Sequence, residues 1–209
     1  RILHNFIALP RSRKKFIFVC FDLALLLVLQ WASFSLRLKV FFVPNLSQGL
    51  LMLAAPAIAG LPQWYVEAQL EGFQSGFRGK HADDLPGLRM RPMAISLRED
   101  DIPSIAEYVA SLTPAFAPST LHGNAGAGAE IYIRCVACHG TDGLGNEVLH
   151  APPLVQMDDW YLLQELQNFK HGARGAVTGD TWGITMRVNT LALSDEAMED
   201  VVAYVQTLR

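Results

Sequence analysis

Cys135-Val136-Ala137-Cys138-His139 is the stretch of this chain that decides its fold and predicts its chemistry. C-x-x-C-H is typical of a covalently attached c-type haem, because two thiolates at this spacing can each bond one vinyl group and the next histidine faces the iron. A structural zinc site needs four ligands, usually from a second short-spaced pair. The only other cysteine, Cys20, lies in a distant apolar run. The motif therefore predicts one covalent haem.

A thioredoxin-like redox pair is the other alternative for two cysteines at this spacing. It requires a strand, a turn and a helix around the pair. The flanks of the motif here indicate a helix before it and a glycine-rich loop after it. We therefore prefer haem attachment.

The charge of the chain is unevenly distributed along its 209 residues, although the net value is only −3. Residues 1–43 contain seven Lys or Arg against one acid, whereas residues 44–121 and 122–209 have net charges of −3 and −6. This balance gives no sign of nucleic-acid binding. A basic start before acidic segments is typical of a membrane anchor that precedes a soluble domain.

The basic start surrounds an apolar run, residues 16–36, whose single charge is Asp22. A helix of this length spans a hydrocarbon core of about 30 Å. Basic residues are more numerous before the run than after it, which places the N-terminus in the cytoplasm and the rest outside. A cleaved signal peptide is the alternative. We predict a membrane segment over 1–43, a transmembrane helix at about 16–36, and a location on the periplasmic side of the bacterial inner membrane.

An internal repeat occupies most of the remaining chain. A shift of 96 residues aligns 55–112 with 151–208 without a gap, and about 17 of the 58 aligned pairs are identical. The identical pairs include Trp64-Tyr65 with Trp160-Tyr161, Arg78-Gly79 with Arg174-Gly175, and Met90 with Met186.

Both copies of the repeat predict two helices separated by a loop. In the second copy, the first helix ends at Gly172, and Ser194 followed by acidic residues caps the closing amphipathic helix. Met186 falls between them, in an expected loop, and is our candidate for the second iron ligand because its repeat partner is also a methionine. The competing candidates in this copy are Met157, His150, His171 and Met198.

Residues 54–209 resemble the di-haem cytochromes c4 and related small periplasmic c-type cytochromes. The resemblance rests on CVACHG, GTDGLGN, APPLV, WYLLQELQNFKHGARG, TMR and AYVQTL. It implies an all-α, class I cytochrome c-like fold in which Cys135 and Cys138 form the thioethers. His139 and Met186 would bind the iron from opposite sides, and the Pro152 carbonyl would accept the ring N–H of His139. His/Met ligation raises the reduction potential relative to two nitrogen ligands.

The first copy departs from this pattern, because Lys39, Phe42 and Val43 stand where a first attachment motif would place its two cysteines and histidine. We predict a degenerate cytochrome c-like repeat without haem over 44–121 and a cytochrome c domain over 122–209. A small domain that lacks its central group loses much of its core. We therefore expect the first copy to be docked on the second or poorly packed.

A second resemblance concerns only the first 40 residues or so. Leu9-Pro10-Arg11, Asp22 and Trp31-Ala32 resemble the first membrane segment of bacterial polysaccharide-biosynthesis nucleotide-sugar dehydratases. The glycine-rich dinucleotide-binding pattern of those enzymes does not follow. A hybrid or truncated reading frame of a di-haem cytochrome therefore stays among the hypotheses.

Two functional hypotheses stand beside that one. The first is a membrane-anchored carrier of single electrons between a quinol-oxidising complex and a terminal oxidase or reductase. The second is the cytochrome subunit of a periplasmic dehydrogenase. An enzymatic function is not expected, because a haem with two protein ligands has no open position for a substrate.

Overall fold

The computed structural model describes residues 58–114 and 116–209, all of which lie within one compact unit. These residues are mostly helical and contain no strand, only an isolated bridge between Asn146 and Ala151. The all-α prediction is therefore confirmed for this part of the chain. The predicted membrane segment and the dehydratase-like stretch lie outside the described residues. No helix within 58–114 and 116–209 has the length and apolar character needed to span a membrane.

Residues 58–114, called the first half below, form three helices: α1 (Gln63–Ser75), α2 (Leu85–Ile95) and α3 (Asp101–Ser111). Helix α1 packs against both α2 and α3. It buries Tyr65, Leu70 and Phe73, whereas α2 buries only Gly87 and Ala94. Helix α1 ends because Gly76 adopts a left-handed conformation with φ of 84°, which costs glycine little.

Residues 116–209, the second half, form five helices and one short 3₁₀ turn. The elements are α4 (Ala125–Tyr132), α5 (Val136–His139), the 3₁₀ turn (Leu154–Gln156), α6 (Asp159–His171), α7 (Thr181–Thr190) and α8 (Asp195–Gln206). Helix α8 packs against α4 and α6, and α6 also packs against α7. The two predicted helix boundaries are confirmed: Gly172 ends α6, and the Ser194 side chain caps α8.

The crossing of α4 and α8 fixes the position of the C-x-x-C-H motif. A Cβ atom at Gly128 would overlap the Asp200 carbonyl oxygen, so only glycine allows this close approach. Tyr132 is almost fully buried, packs 5.3 Å from the Tyr204 ring, and donates a hydrogen bond of 2.9 Å to the Gly140 carbonyl. The end of α4 is therefore tied both to α8 and to the residue that follows the motif.

The two halves have corresponding local structure. Helices α1 and α6 have the same length and begin 96 positions apart. Helices α2 and α7 also begin 96 positions apart. Asp84 accepts a hydrogen bond of 2.9 Å from the Gly87 amide, and Asp180 accepts one of 2.9 Å from the Gly183 amide. The aligned sequences thus form the same helix start in both halves.

These helix starts correct one expectation. The sequence predicts Met186 in a loop, but it lies inside α7, just as Met90 lies inside α2. The cause is local: the Asp180 carboxylate caps the first turn, and the Gly183 carbonyl approaches Gly175 so closely that a side chain there would not fit. The sequence signal for this helix start is an Asp three residues before a Gly.

Both halves contribute to a single apolar core. The core joins Leu61, Tyr65, Phe73 and Val109 of the first half to residues of the second half that include Tyr132, Leu162 and Val201. Of the two outcomes expected for the first copy, docking on the second copy is the one observed.

Candidate functional site

Cys135 directly precedes the single helical turn α5, and Cys138 lies within that turn. The His139 amide donates a hydrogen bond of 2.9 Å to the Cys135 carbonyl, and the three-residue spacing brings both side chains to one face of the turn. Both are free thiols and are partly buried. Burial raises the pKa of the Cys135 thiol, so it is less reactive than an activated redox cysteine. The described residues also contain no cluster of three or more His, Cys, Asp or Glu side chains suited to a metal ion.

His139 is held in one orientation and one protonation state. Its side chain is buried, and its Nδ1 lies 3.0 Å from the Pro152 carbonyl oxygen. A carbonyl only accepts, so Nδ1 carries the proton and the Nε2 lone pair is left for a metal. Burial lowers the pKa of His139, and the bond to Pro152 only partly opposes that effect. The ring is therefore a neutral imidazole at neutral pH.

The loop between His139 and Pro152 is closed by backbone hydrogen bonds. The Gly145 amide donates to the His139 carbonyl at 2.9 Å, and the Leu154 amide donates to the Gly143 carbonyl at 2.7 Å. A side chain at Gly145 would overlap the Ala151 carbonyl. This compact loop brings the Pro152 carbonyl, 13 positions along the chain, to the histidine ring.

The expected site residues surround one large cavity of about 620 Å³, within the usual range for cofactor sites of about 300–1,000 Å³. Cys135, Cys138, His139, Pro152 and Met186 all line it. Its walls are mainly apolar and include Leu154, Leu162, Leu166, Phe169, Val201 and Val205. Two thiols, a neutral imidazole and a thioether facing one apolar space fit a covalently attached haem.

The cavity also narrows the choice of second iron ligand. Met157 and His150 line it, whereas His171 and Met198 do not. Met157 belongs to the buried core. The His150 ring stacks on Trp182 with 5.0 Å between centroids, at the cavity wall. Met186, on α7, is the only one of these candidates that the resemblance also selects.

A polar cluster that the sequence did not predict lies in the wall of the same cavity, where the two halves meet. Arg78 donates to Gln69 of its own half at 2.6 Å and to Glu165 of the other half at 3.3 Å. Arg174 donates to Glu165 of its own half and to Gln69 of the other half at 3.3 Å. Each guanidinium thus contacts one acceptor in each half. The repeat identified both arginines as shared residues but gave them no role.

The charged members of this cluster stay ionised. Burial opposes ionisation of Glu165, but Arg174 and Arg78 outweigh it and hold the pKa of the carboxyl below its usual range. Burial likewise acts against the Arg78 cation, yet the Glu165 carboxylate raises the pKa of the guanidinium above its ordinary value. The cluster therefore contains two positive charges and one negative charge.

An all-α fold that gathers C-x-x-C-H and a methionine around an apolar cavity defines a haem-binding protein of the c type. The family described as cytochrome c matches residues 125–209. Cytochrome c-554(548) of Halomonas halodenitrificans is 34% identical over 82 residues, which are 39% of this chain and 93% of that protein. The chain belongs to the cytochrome c family, whose members carry a covalent haem c.

Two further similarities extend beyond the second half. The thiosulfate dehydrogenase electron acceptor of Stutzerimonas stutzeri is 28% identical over 169 residues, 76% of this chain and 73% of that protein. The solved structure of cytochrome c4 from Acidithiobacillus ferrooxidans has a TM-score of 0.60 at 27% identity and covers 72% of this chain and 86% of that one. The chain is therefore homologous to di-haem cytochromes of the c4 type.

Proposed function

We propose that the chain is an electron carrier with one covalent haem, attached through Cys135 and Cys138 and ligated by His139 and Met186. The observation that carries this proposal is the convergence of these four side chains on one apolar cavity. When bound, the haem supplies a one-electron redox couple. His139 and Met186 would together leave no iron position open for a substrate, which favours electron transfer over catalysis.

The residues of the chain hold and tune this site. The Pro152 carbonyl orients His139 and keeps its proton on Nδ1, as expected for a metal-bound histidine. The apolar walls exclude water, which disfavours the additional positive charge of the oxidised state and raises the reduction potential. Ligation by His139 and Met186 would also raise the reduction potential, relative to two nitrogen ligands.

We infer that the first half is a degenerate cytochrome c-like repeat, within boundaries of 44–121, and that 122–209 is the haem domain. This inference is supported by the matching helix starts and by Lys39, Phe42 and Val43 at the positions of a first motif. Met90, the counterpart of Met186, is 38% exposed.

Haem stoichiometry tests the proposal directly. We expect one covalently bound haem per chain when the full chain is expressed with the cytochrome maturation apparatus, measured as haem absorbance against protein concentration. Two haems per chain would contradict the proposal, because they would require a ligand set in the first half. No covalent haem would contradict the attachment itself.

The cellular route that we propose is that of a membrane-anchored periplasmic carrier, in a respiratory chain between a quinol-oxidising complex and a terminal oxidase. The similarity to a thiosulfate dehydrogenase electron acceptor favours a second candidate, the cytochrome subunit of a periplasmic dehydrogenase. Purification of the full chain from its native membrane separates the two. A larger catalytic subunit in fixed proportion supports the dehydrogenase, and its absence supports the carrier.

Replacing Met186 by alanine is expected to remove the absorption band that arises from methionine–iron charge transfer, because the thioether sulfur is lost. The matched control is Met157→Leu, which removes the other methionine of the cavity and is expected to keep the band. Absorption spectra of the oxidised proteins measure both results. Persistence of the band in Met186→Ala together with its loss in Met157→Leu would assign the ligand to Met157.

A further inference from the structure

The polar cluster formed by Gln69, Arg78, Glu165 and Arg174 is the starting point of a further inference. Its ionic side chains are well shielded from water: the Arg78, Arg174 and Glu165 side chains are 10%, 14% and 13% exposed. Interactions at this depth are only weakly screened by solvent and salt. The four residues belong to the wall of the cavity that also contains His139 and Met186. Their charge therefore acts on whatever occupies the cavity.

The cluster has a surplus of one positive charge, and the reason lies in one position of the repeat. Glu165 corresponds to Gln69 under the 96-residue shift. The second half thus supplies an arginine and a carboxylate, whereas the first half supplies an arginine and a neutral amide. The surplus cation belongs to the first half.

The other charged side chains of the described cavity wall are Glu71, Arg134 and Asp180. Glu71 and Arg134 also line the cavity but are exposed to water, where screening is strong. The Asp180 carboxylate accepts a hydrogen bond from the Gly183 amide at the start of α7, where the partial positive charge of the helix end offsets part of its negative charge. Burial raises the pKa of the neighbouring Tyr65 hydroxyl, so that side chain is neutral.

We propose that Arg78, a residue of the half without an attachment motif, raises the reduction potential of the haem held by the other half through the surplus charge of this cluster. The inference rests on the proposed function. Oxidation adds one positive charge to the iron, and a fixed buried cation in the same cavity disfavours that state. The first half is then an electrostatic part of the redox site as well as a packing partner.

Gln69→Glu is the decisive variant, because it supplies the missing carboxylate without removing any side chain from the cluster. The reduced-to-oxidised ratio at a fixed solution potential is expected to fall about threefold to tenfold. A tenfold change corresponds to about 59 mV for a one-electron couple. Arg78→Gln removes the surplus cation and is expected to shift the ratio in the same direction. Potentiometric titration of the haem-loaded full chain at neutral pH measures both.

The matched control is Arg98→Gln, which alters an exposed ion pair with Asp101 in which the arginine side chain is 81% exposed. Its potential is expected to equal that of the unaltered chain. The inference is wrong if Gln69→Glu and Arg78→Gln both have the same reduction potential as the control while each binds one haem with an unchanged absorption spectrum. The proposed function would remain intact in that case. Gln69→Glu pairs the new carboxylate with two arginines, and a content of one haem with an unchanged absorption spectrum shows that the variant has folded.

Discussion

Replacing both Cys135 and Cys138 by alanine is expected to abolish covalent haem attachment completely. Each thioether bond needs a cysteine sulfur, and alanine offers no nucleophile in its place. His139 would still present its Nε2 to the cavity, so any remaining haem would be held only by coordination and packing. Haem staining after denaturing electrophoresis measures the result, because only covalently bound haem stays with the chain.

The control for this double variant is Cys20→Ala, which removes the cysteine that lies outside the motif and is expected to keep the full stain. A stain that survives in the double variant would refute attachment at this motif. A stain lost in Cys20→Ala would show that the assignment of the two attachment residues is wrong.

Replacing Glu165 by glutamine is expected to lower the free energy of unfolding by about 3 kcal/mol, since it leaves two buried guanidinium groups without their carboxylate. The amide keeps the shape of the side chain and one acceptor oxygen, so the loss of unfolding free energy is caused by the removed charge and not by a change in volume. Urea unfolding of the haem-loaded chain at neutral pH measures it. The matched control is Asp101→Asn, which removes the carboxylate of the exposed ion pair with Arg98. No measurable decrease in the free energy of unfolding is expected for it.

The pH dependence of that loss follows from the lowered pKa of Glu165. A carboxyl whose pKa is lower in the folded than in the unfolded state stabilises the fold above the unfolded value of about 4.3. That contribution disappears as the pH falls through the folded value. The difference between the unaltered chain and Glu165→Gln is therefore expected to shrink below about pH 4. A difference that stays constant on acidification would contradict an ionised, paired Glu165.

The parts of the fold that the sequence predicted depend on local chemistry. Gly172 ends α6 because a left-handed residue without a Cβ follows the last helical turn, and Ser194 starts α8 by accepting a bond from an amide three residues later. The C-x-x-C-H motif is local in the same sense. Such signals lie within a few positions of the feature that they specify, so one chain is enough to find them.

The parts that the sequence did not predict depend on contacts between distant residues. Arg78 and Glu165 are 87 positions apart, and Gln69 and Arg174 are 105 apart. No spacing rule connects residues at such separations. The sequence of α7 does not predict a helix, because it contains Gly183 and β-branched threonines, which are weak helix formers. It is stabilised by the Asp180 cap and by the contact between Gly175 and Gly183.

The cavity wall supplied by the first half limits which deletions the chain can tolerate. Trp64, Tyr65 and Arg78 enclose a site whose attachment motif lies in the other half. A deletion that removed them would open that side of the site to water and expose the shared core. The first half therefore has a structural role at the site even though it has no attachment motif of its own. Substitutions in its wall residues are expected to change the solvent exposure of the site around Cys135 and His139, so the two halves act as one redox unit.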